Sequence, residues 1–376
     1  MKKAWGALAL VCAACGGLTT EATDGPTPPI QQTEVELEAG LASTCALKEG
    51  VVECWGLLDY SLENYDAPPQ VVPHRVIEIP GEVTAAHAGG YHWCAETADH
   101  SVWCWGMNSA GQVGGGVFSE FEQPSRVKSL DGRVAAVDAG EFNTCALTLD
   151  GEVYCWGSAT TGLQPIGNTG AIAEPERIAG IGERVIQVEV GFHRACVLTQ
   201  SHAVKCWGYE ALEDYSSADL QPYTVEQLPT LEAGVERILP MRDRLMCALM
   251  QDHTVRCSGI TFLSEVAPSQ VVEIPEVTDV VDGGAGFDFA CFVNSAGKVA
   301  CFGRADRGQL GAALPGTEFS EEFQFPQIDG VNAISVGGGH VCVRNTEGAF
   351  CWGANEFAQL GKLGAEFESQ PQALEL

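Results

Sequence analysis

Fourteen cysteines form seven pairs whose members lie nine or ten residues apart, and this spacing constrains the fold more than any other feature of the chain. The first cysteines of successive pairs are 44 to 51 residues apart, so the pairs mark seven copies of one repeating unit. The pairs are Cys45 with Cys54, Cys94 with Cys104, Cys145 with Cys155, Cys196 with Cys206, Cys247 with Cys257, Cys291 with Cys301, and Cys342 with Cys351.

The third unit shows the plan of the repeat most clearly. Apolar residues alternate along Val134–Gly140 and again along Cys145–Gly157, and a glycine-bearing turn interrupts the second run. Short alternating runs of this kind are typical of strands joined by hairpins. Four strands fit each unit and seven units fit residues 34–376, which predicts an all-β fold, a seven-bladed β-propeller with four-stranded antiparallel blades.

The cysteine spacing matches hairpin geometry. If Leu149–Gly151 form a three-residue loop with Gly151 in the left-handed conformation, Cys145 lies opposite Cys155. The two-residue loop Glu49–Gly50 keeps the cysteines of the first unit opposed as well. Opposed residues on neighbouring strands lie about 4.5–5.5 Å apart, within reach of a disulfide. We therefore predict one disulfide within each blade.

Zinc binding is the alternative use of so many cysteines. Structural zinc sites combine closely spaced pairs that converge on one ion, whereas these pairs span a turn and recur seven times. The disulfide interpretation is favoured, and it requires an oxidising compartment.

The N-terminus predicts export to such a compartment. Lys2 and Lys3 precede the apolar run Ala4–Ala14, which is too short to cross a bilayer and is typical of a signal peptide. Cys15 follows small residues in a pattern that resembles a bacterial lipobox, so we predict lipidation of Cys15. The expected organisation is a signal peptide over 1–14, an acylated flexible tether over 15–33, and the propeller over 34–376. Secretion without a lipid is the alternative.

The net charge of −30 limits the classes of partner. Such a surface repels phosphate, so nucleic acid is not an expected ligand, and membrane contact is expected through the lipid anchor only. A basic protein or glycan is compatible with this charge.

The repeat resembles that of the regulator of chromosome condensation family. The phrase Cys145–Gly157 carries the Asp-Gly-x-Val and Trp-Gly signatures, and Gly106–Gly114, Gly308–Gly311 and Gln359–Gly361 keep its Gly-Gln-Leu-Gly loop. The resemblance implies a seven-bladed protein-binding scaffold in an exported lipoprotein branch of the family. A secreted relative that inhibits β-lactamases with one propeller face is a distant analogue.

The aromatic residue of Trp-Gly is expected to pack between blades. This prediction concerns Trp55, Trp105, Trp156, Trp207 and Trp352. Unit five departs from the repeat, with Met241-Arg242 in place of Ala-Gly and Ser258 in place of tryptophan, so it is expected to be the weakest-packed blade.

The chain contains no recognisable catalytic motif, cofactor fingerprint or metal-ligand spacing. His92 and His340 share a repeat position, with His193 one residue out of step, and hydrogen bonding within the blade is their expected role. The repeats offer mainly packing positions rather than converging polar residues, so we predict a non-enzyme without cofactor or metal.

The variable loops after Trp-Gly are the expected binding surface, because loops on a rigid scaffold carry function. Tyrosines lie among carboxylates in two of them, at Asp59, Tyr60, Glu63 and Tyr65 and at Tyr209, Asp214 and Tyr215. The predicted function is a monomeric, lipid-anchored cell-envelope scaffold that binds an unknown protein or glycan. The alternatives are a lyase or hydrolase with a site at the central channel, and a secreted protein inhibitor of an enzyme.

Overall fold

The fold is known from a computed structural model. It describes residues 35–58, 72–161, 163, 171–208, 225–243, 245–259 and 270–375, with only the backbone at 72–74 and 160.

The described residues form 28 strands in seven consecutive groups of four. Blade one has β1 (Val35–Ala39), β2 (Ser43–Lys48), β3 (Val51–Gly56) and β4 (Val72–Ile77). Blade two has β5 (Val83–Ala88), β6 (His92–Thr97), β7 (Val102–Met107) and β8 (Phe121–Arg126). Blade three has β9 (Val134–Ala139), β10 (Asn143–Thr148), β11 (Val153–Gly157) and β12 (Ile172–Arg177). Blade four has β13 (Val185–Val190), β14 (Arg194–Thr199), β15 (Val204–Gly208) and β16 (Glu226–Gln227).

The last three blades follow the same plan. Blade five has β17 (Val235–Ile238), β18 (Met246–Met250), β19 (Val255–Ser258) and β20 (Val272–Glu273). Blade six has β21 (Val280–Ala285), β22 (Phe289–Asn294), β23 (Val299–Arg304) and β24 (Phe319–Gln324). Blade seven has β25 (Ala333–Val336), β26 (His340–Asn345), β27 (Gly348–Ala354) and β28 (Phe367–Leu374). Two 3-10 helices, Lys128–Leu130 and Ala159–Thr161, lie between strands of the described chain.

Each sheet contains four strands paired in chain order, and every pairing is antiparallel. The prediction of a seven-bladed, all-β propeller with four-stranded blades is confirmed. Because β1 pairs only within blade one and β28 only within blade seven, each terminal blade is built from one continuous unit.

The predicted disulfides are also confirmed, with one in each blade between its second and third strands. In blade three, Cys145 lies opposite Cys155 with their Cα atoms 4.1 Å apart. Gly151 has a φ of +83°, as the three-residue loop requires, and the amide of Thr148 donates to the carbonyl of Glu152. The other six pairs match those predicted, with Cα separations of 4.0 to 4.2 Å.

The hydrophobic core lies between neighbouring blades rather than in one central mass. One cluster, for example, joins Leu147 and Val153 of blade three to Val188, Val197 and Trp207 of blade four. Each sheet therefore buries both faces against its neighbours, and the five Trp-Gly tryptophans are at most 4% exposed. Their predicted packing between blades is confirmed.

A hydrogen-bonded link joins blade two to blade three. The hydroxyl of Thr144 donates to the carbonyl of Gln112 at 2.8 Å, and the Trp156 indole donates to the same oxygen at 2.8 Å. His92 Nε2 lies 2.8 Å from the Thr144 hydroxyl, whose proton is already used, so Nε2 carries the ring proton and donates it. The expectation of a bond within the blade was wrong, because this histidine reaches the next blade.

The same link closes the ring between the first and last blades. His340 Nε2 lies 2.8 Å from Thr44 Oγ1, and the carbonyl of Gln359 accepts from both Thr44 and Trp55. The amide of Gly338 also donates to the carbonyl of Gly40 at 3.0 Å. Blade one therefore meets blade seven through the contacts that join other neighbours, although 296 residues separate Thr44 from His340.

The inner strands approach each other closely where they end. A Cβ atom on Gly140 would lie 2.4 Å from the carbonyl oxygen of Gly191, and one on Gly191 would lie 2.1 Å from that of Asp243. This tight approach explains why the Ala-Gly signature recurs at the end of the inner strand.

Blade five carries one extra residue at this point. Ile238 pairs with Ala248, ten residues further on, whereas Val137 of blade three pairs with Ala146, nine residues further on. The extra length forms a bulge in which the amide of Arg242 donates to the carbonyl of Ala285 in blade six. Arg242, which replaces the glycine of the Ala-Gly signature, therefore lies in an irregular segment beside the channel.

Candidate functional site

The residues predicted to bind a partner lie outside the described residues. This holds for Asp59, Tyr60, Glu63, Tyr65, Tyr209, Asp214 and Tyr215, and for the predicted lipidation site at Cys15. The central channel and its rim, by contrast, are described in detail.

Charged side chains converge in the channel. Four come from the same repeat position, seven residues before the first cysteine of blades one to four, and the fifth comes from the bulge of blade five. We call this set the channel layer; it comprises Glu38, His87, Asp138, Glu189 and Arg242. The expectation that the repeats would bring no polar cluster together was therefore wrong.

Arg242 spans the channel from blade five to blades one and two. One terminal nitrogen donates to the carbonyl of Ala88 at 2.8 Å. The other donates to the carbonyl of Ala39 at 2.9 Å and to Glu38 Oε1 at 2.6 Å. The Arg242 side chain is 6% exposed and that of Glu38 is 26% exposed, so this ion pair is shielded on the arginine side.

The remaining members of the layer are also engaged. Asp138 accepts from the amides of Ala139, at 2.9 Å, and Val190, at 2.6 Å. His87 Nε2 lies 3.1 Å from Glu96 Oε1. Glu189 accepts from the side-chain amide of Gln187 at 2.9 Å. Because Glu96 Oε1 also accepts from the amide of Val137 at 2.7 Å, these contacts join blades two, three and four around the channel.

Three members of the layer, His87, Asp138 and Glu189, hold protons more tightly than the same groups would in water. Burial alone would lower the pKa of His87, but Glu96, followed by Asp138 and Glu38, raises it to about 9. Burial raises the pKa of Asp138, with Arg242 and His87 opposing. Burial and then the charge of Asp138 raise the pKa of Glu189 well above its ordinary value.

A cavity of about 400 Å³ lies beside the layer and is lined mainly by the inner strands of five blades, together with Pro240 of blade five. Its walls include Leu37, Val137 and Val188, together with Glu38, His87 and Asp138 of the layer. A raised carboxyl pKa beside a cavity is a feature that general acid–base sites share. Here, however, the polar groups contact one another and the backbone, and these contacts stabilise the ring.

A second surface lies at the channel rim, where each inner strand turns into the second strand. The antiparallel blade topology puts these turns on one face of the ring and the disulfide hairpins on the other. Aromatic rings of three successive blades lie side by side there. The ring centroid of Phe142 is 6.1 Å from that of Tyr91 and 5.7 Å from that of Phe192.

The rim continues around the ring with apolar side chains from other blades. A Cβ atom on Gly338 of blade seven would lie 2.6 Å from Leu41 of blade one and 2.9 Å from Phe287 of blade six, so both side chains cover this turn. We call this surface the turn-face mouth; its apolar residues are Leu41, Tyr91, Phe142, Phe192 and Phe287, all half-buried.

Two carboxylates belong to the turn-face mouth. Glu141 precedes Phe142 in the turn of blade three, and Asp243 occupies the turn of blade five; both are half-buried. Burial, followed by the charge of Asp243, raises the pKa of Glu141 to about 7. The mouth therefore combines aromatic side chains with two half-buried carboxylates.

Neither surface was predicted from the sequence, although a signal for each was present. Four of the five members of the channel layer occupy one position of the repeat, which carries Glu, His, Asp and Glu in successive units. The mouth occupies the two positions that lie three and four residues before the first cysteine, where Tyr91, Phe142, Phe192 and Phe287 occur. Comparing each repeat position across units would have found both.

Phenylalanines that recur in the loops and outer strands differ in their surroundings. Phe118, Phe319 and Phe367 are 56%, 37% and 45% exposed. Phe323 packs, with its ring 5.0 Å from that of Phe302. A cavity of about 530 Å³ lies beside Phe367, between blades six and seven.

Within the described ranges, no group of three His, Cys, Asp or Glu side chains is arranged to hold a metal ion. No helix in the same part of the chain has the length and apolar character to span a membrane.

Comparison with known proteins identifies the repeat. Models of the regulator of chromosome condensation (RCC1) repeat match residues 99–147 and 134–162. The ultraviolet-B receptor UVR8 of Arabidopsis thaliana is 26% identical over 320 residues, which are 81% of this chain and 71% of the receptor. The E3 ubiquitin-protein ligase HERC2 of Homo sapiens is 30% identical over 186 residues, which are 46% of this chain but 4% of the ligase.

Solved structures agree on the fold. Yeast RCC1 (Prp20), determined bound to Kap60, matches with a TM-score of 0.70 and 17% identity over 95% of this chain and 91% of that one. At this level of identity the likeness concerns the architecture of the propeller alone.

Proposed function

We propose that this protein, which is a seven-bladed propeller of RCC1 repeats, is a non-catalytic scaffold that binds a protein at the bacterial cell envelope. A lipid on Cys15 would hold it at the membrane, and residues 16–33 would act as the tether. The observation that carries the proposal is the turn-face mouth, where half-buried aromatic side chains of neighbouring blades form one surface on a rigid ring.

Three features support binding as the role of this surface. Aromatic residues are enriched in protein interfaces because they bring large contact area at small conformational cost. The mouth is held by seven disulfide-linked blades, so little order is lost when a partner binds. Yeast RCC1 (Prp20), which has the same fold, was solved bound to another protein, Kap60, and this supports a protein as the partner.

Affinity capture from envelope extract tests the proposal. The full-length lipidated chain would be compared with a variant carrying Tyr91→Ala, Phe142→Ala and Phe192→Ala. A matched control carries Val51→Ala and Leu149→Ala, which remove exposed apolar side chains from hairpins of the opposite face. We expect a stoichiometric partner that the control retains and the mouth variant loses. Equal capture by both variants would contradict the proposal.

The channel layer supports a second candidate, an extracytoplasmic lyase or hydrolase. Glu189 with its raised pKa could supply a proton, and Asp138 lies close enough to influence that pKa. A screen of envelope polysaccharides with Glu189→Gln as the comparison separates the two functions. Turnover that this variant abolishes would establish the enzyme, whereas capture that it leaves unchanged supports the scaffold.

A further inference from the structure

We propose that a groove between blades six and seven receives an aromatic side chain of the protein partner, with a basic residue next to it in the partner. The groove is the cavity of about 530 Å³ beside Phe367, and we call it the blade-six groove. This inference rests on the proposed function, because it adds a second contact on the face that carries the turn-face mouth.

The blade-six groove lies on the turn face. One wall is the loop 305–318, which joins β23 to β24, and the other is the start of β28, with Phe367 and Ser369. In an antiparallel sheet paired in chain order, the connection from the third strand to the fourth lies at the same end as the turn from the first strand to the second. A partner that covers the mouth therefore approaches the ring from the side on which this loop lies.

The walls of the blade-six groove are mainly apolar. Ala312, Leu314 and Pro315 come from the loop, and Phe367 of the opposite wall is 45% exposed. Covering apolar surface of this kind is favourable, and an aromatic side chain seated in a pocket is a frequent anchor of protein interfaces. The volume of about 530 Å³ lies in the range of ligand-binding clefts.

Blade two shows which side chain suits this place. Gly111 and Gly308 occupy the same repeat position, seven residues after the second cysteine of their blades. A Cβ atom on Gly111 would lie 2.9 Å from Cε1 of Phe118, an aromatic side chain of the same loop. For a Cβ atom on Gly308, the three nearest atoms belong instead to Glu368 and Ser369 of β28.

The position of Phe118 is open in blade six. Phe118 and Gly316 each lie four residues before the outer-strand residue that pairs with the glycine of Trp-Gly or of its Phe-Gly equivalent, so they correspond. Apart from the chain neighbours of Gly316, no heavy atom of the described chain lies within 4 Å of a Cβ atom placed on it. Because blade two covers this place with its own phenylalanine and blade six has a cavity there, an aromatic side chain of the partner fits it.

Charge around the groove favours a basic residue beside that aromatic side chain. Arg304 donates to both carboxylate oxygens of Asp306 at 2.8 Å, and Lys362 Nζ lies 3.3 Å from Glu368 Oε1. Glu318 belongs to the wall, is exposed, and forms no ion pair with the described residues. A lysine or arginine of the partner can therefore pair with Glu318, whereas the net charge of −30 repels an acidic partner.

The test is a titration of the full-length protein followed by NMR. Methyl groups of Leu314 report on the groove, and those of Leu149 on the hairpin face are the reference. The probe is a short Gly/Ser peptide with a central Phe-Lys, compared with the same peptide carrying Ala-Lys, at physiological salt.

Two pairs of variants locate the binding. Ala313→Trp adds a ring to the groove from an exposed position of its own loop, and Val117→Trp adds the same ring to an exposed position of the blade-two loop as the matched control. Glu318→Gln removes the wall charge, and Glu321→Gln removes an exposed charge from β24 as its control. Unchanged urea unfolding shows that all four variants are folded.

We expect the Phe-Lys peptide to shift the Leu314 methyl signals, to leave those of Leu149 in place, and to bind at least about tenfold more tightly than the Ala-Lys peptide. Ala313→Trp should weaken its binding at least about tenfold and Val117→Trp less than about twofold. Glu318→Gln should weaken it about threefold, and Glu321→Gln less than about 1.5-fold.

Equal binding of the two peptides, or equal effects within either pair of variants, would overturn the inference. Self-association of the protein that Ala313→Trp abolishes would assign the groove to a second copy and would overturn it as well. If the mouth variant loses the captured partner while the Phe-Lys peptide does not bind, the proposed function stands and this inference fails. If the peptide binds the groove while the mouth variant captures as much as its control, binding at the groove stands and the proposed function fails.

Discussion

Blades three and five have the same number of strands and the same disulfide spacing, yet they hold the ring together differently. Blade three meets its neighbour through Thr144, which bonds to His92 and to the carbonyl of Gln112. At the corresponding place blade five has Met246, which makes no such bond. Met246 pairs with the buried Ser258, which occupies the position of the tryptophan in blade three. Arg194 of blade four donates to that serine at 3.0 Å.

This difference shows which blade connects parts of the ring that are not neighbours. In regular blades each polar link reaches the next blade only. In blade five the extra residue places Arg242 where its side chain crosses the channel. The contact of Arg242 with Glu38 joins residues 204 positions apart. The irregular unit thus supplies a link in the channel layer that spans the ring instead of following it.

Removing that link should give the largest effect. Arg242→Ala removes the donor to Glu38 Oε1 and to two carbonyls in the channel, so we expect a loss of about 3–4 kcal/mol in the free energy of unfolding. Arg237→Ala is the matched control, because Arg237 also lies in blade five and also donates to a carboxylate, Asp282, at 2.6 Å. That pair is about one-third exposed, and its loss should cost less than about 1 kcal/mol. Urea unfolding of both variants measures the two losses of unfolding free energy. Equal losses would show that Arg242 stabilises the ring no more than a partly exposed arginine does.

Deleting the disulfide of blade three or that of blade five tests the comparison of these two blades further. Both bonds close loops of the same length, so the chain-entropy account predicts a loss of roughly 2.5–3 kcal/mol for Cys145→Ala with Cys155→Ala, and the same for Cys247→Ala with Cys257→Ala. Thermal and urea unfolding of the two double variants test this. A clearly larger loss in blade five would confirm that it is the weakest-packed blade, as its sequence predicts, whereas no loss in blade three would contradict the stabilising role of the bridges.

The channel layer should make stability depend on pH. The pKa of His87 is raised to about 9 in the folded chain, against about 6.5 in the unfolded chain, so its stabilising effect is complete below pH 6.5 and is lost as the pH rises through 9. After allowance for its partial exposure, we expect a decrease of about 2 kcal/mol between pH 6.5 and 9.5. The raised pKa values of Asp138 and Glu189 act in the same direction.

His87→Gln separates this contribution from the rest. The variant should show a shallower decrease of unfolding free energy over the same pH range. His92→Gln is the control, because burial lowers the pKa of His92 to about 3 and that ring stays neutral throughout this interval. A profile that His87→Gln leaves unchanged would assign the pH dependence to other groups.

The link between blades two and three should have the smallest of these effects. Thr144→Val keeps the shape of the side chain but removes a donor to Gln112 and an acceptor for His92, for an expected loss of about 1–2 kcal/mol. Thr254→Val in blade five breaks an exposed turn bond to Asp252 and should cost less than about 0.5 kcal/mol. Chemical denaturation of the pair tests this order, and a reversed order would show that the buried link contributes little.

The features that the sequence predicts well are local. A cysteine pair, a turn such as Leu149–Gly151 and the alternation of one strand depend on residues a few positions apart, and they recur seven times. The fold class, the strand number and every disulfide could therefore be predicted.

The contacts that escaped prediction join residues far apart in sequence. The Met241-Arg242 departure was visible, but nothing near it in the chain shows that the arginine reaches Glu38 in blade one. The target of His92 likewise lies in the next unit, so its repeat position suggested a bond but not its partner. The rim aromatics emerge as one surface only when the turns of successive blades are placed side by side.

The most direct test of the account compares the two faces of one blade. A photo-cross-linking phenylalanine analogue would replace Phe142 on the turn face, or Leu149 on the hairpin face, which is 46% exposed, in the full-length protein in its own cells. The account predicts a single cross-linked product from position 142 and none from position 149. Equal products from both positions, or a product from position 149 alone, would contradict binding at the turn-face mouth.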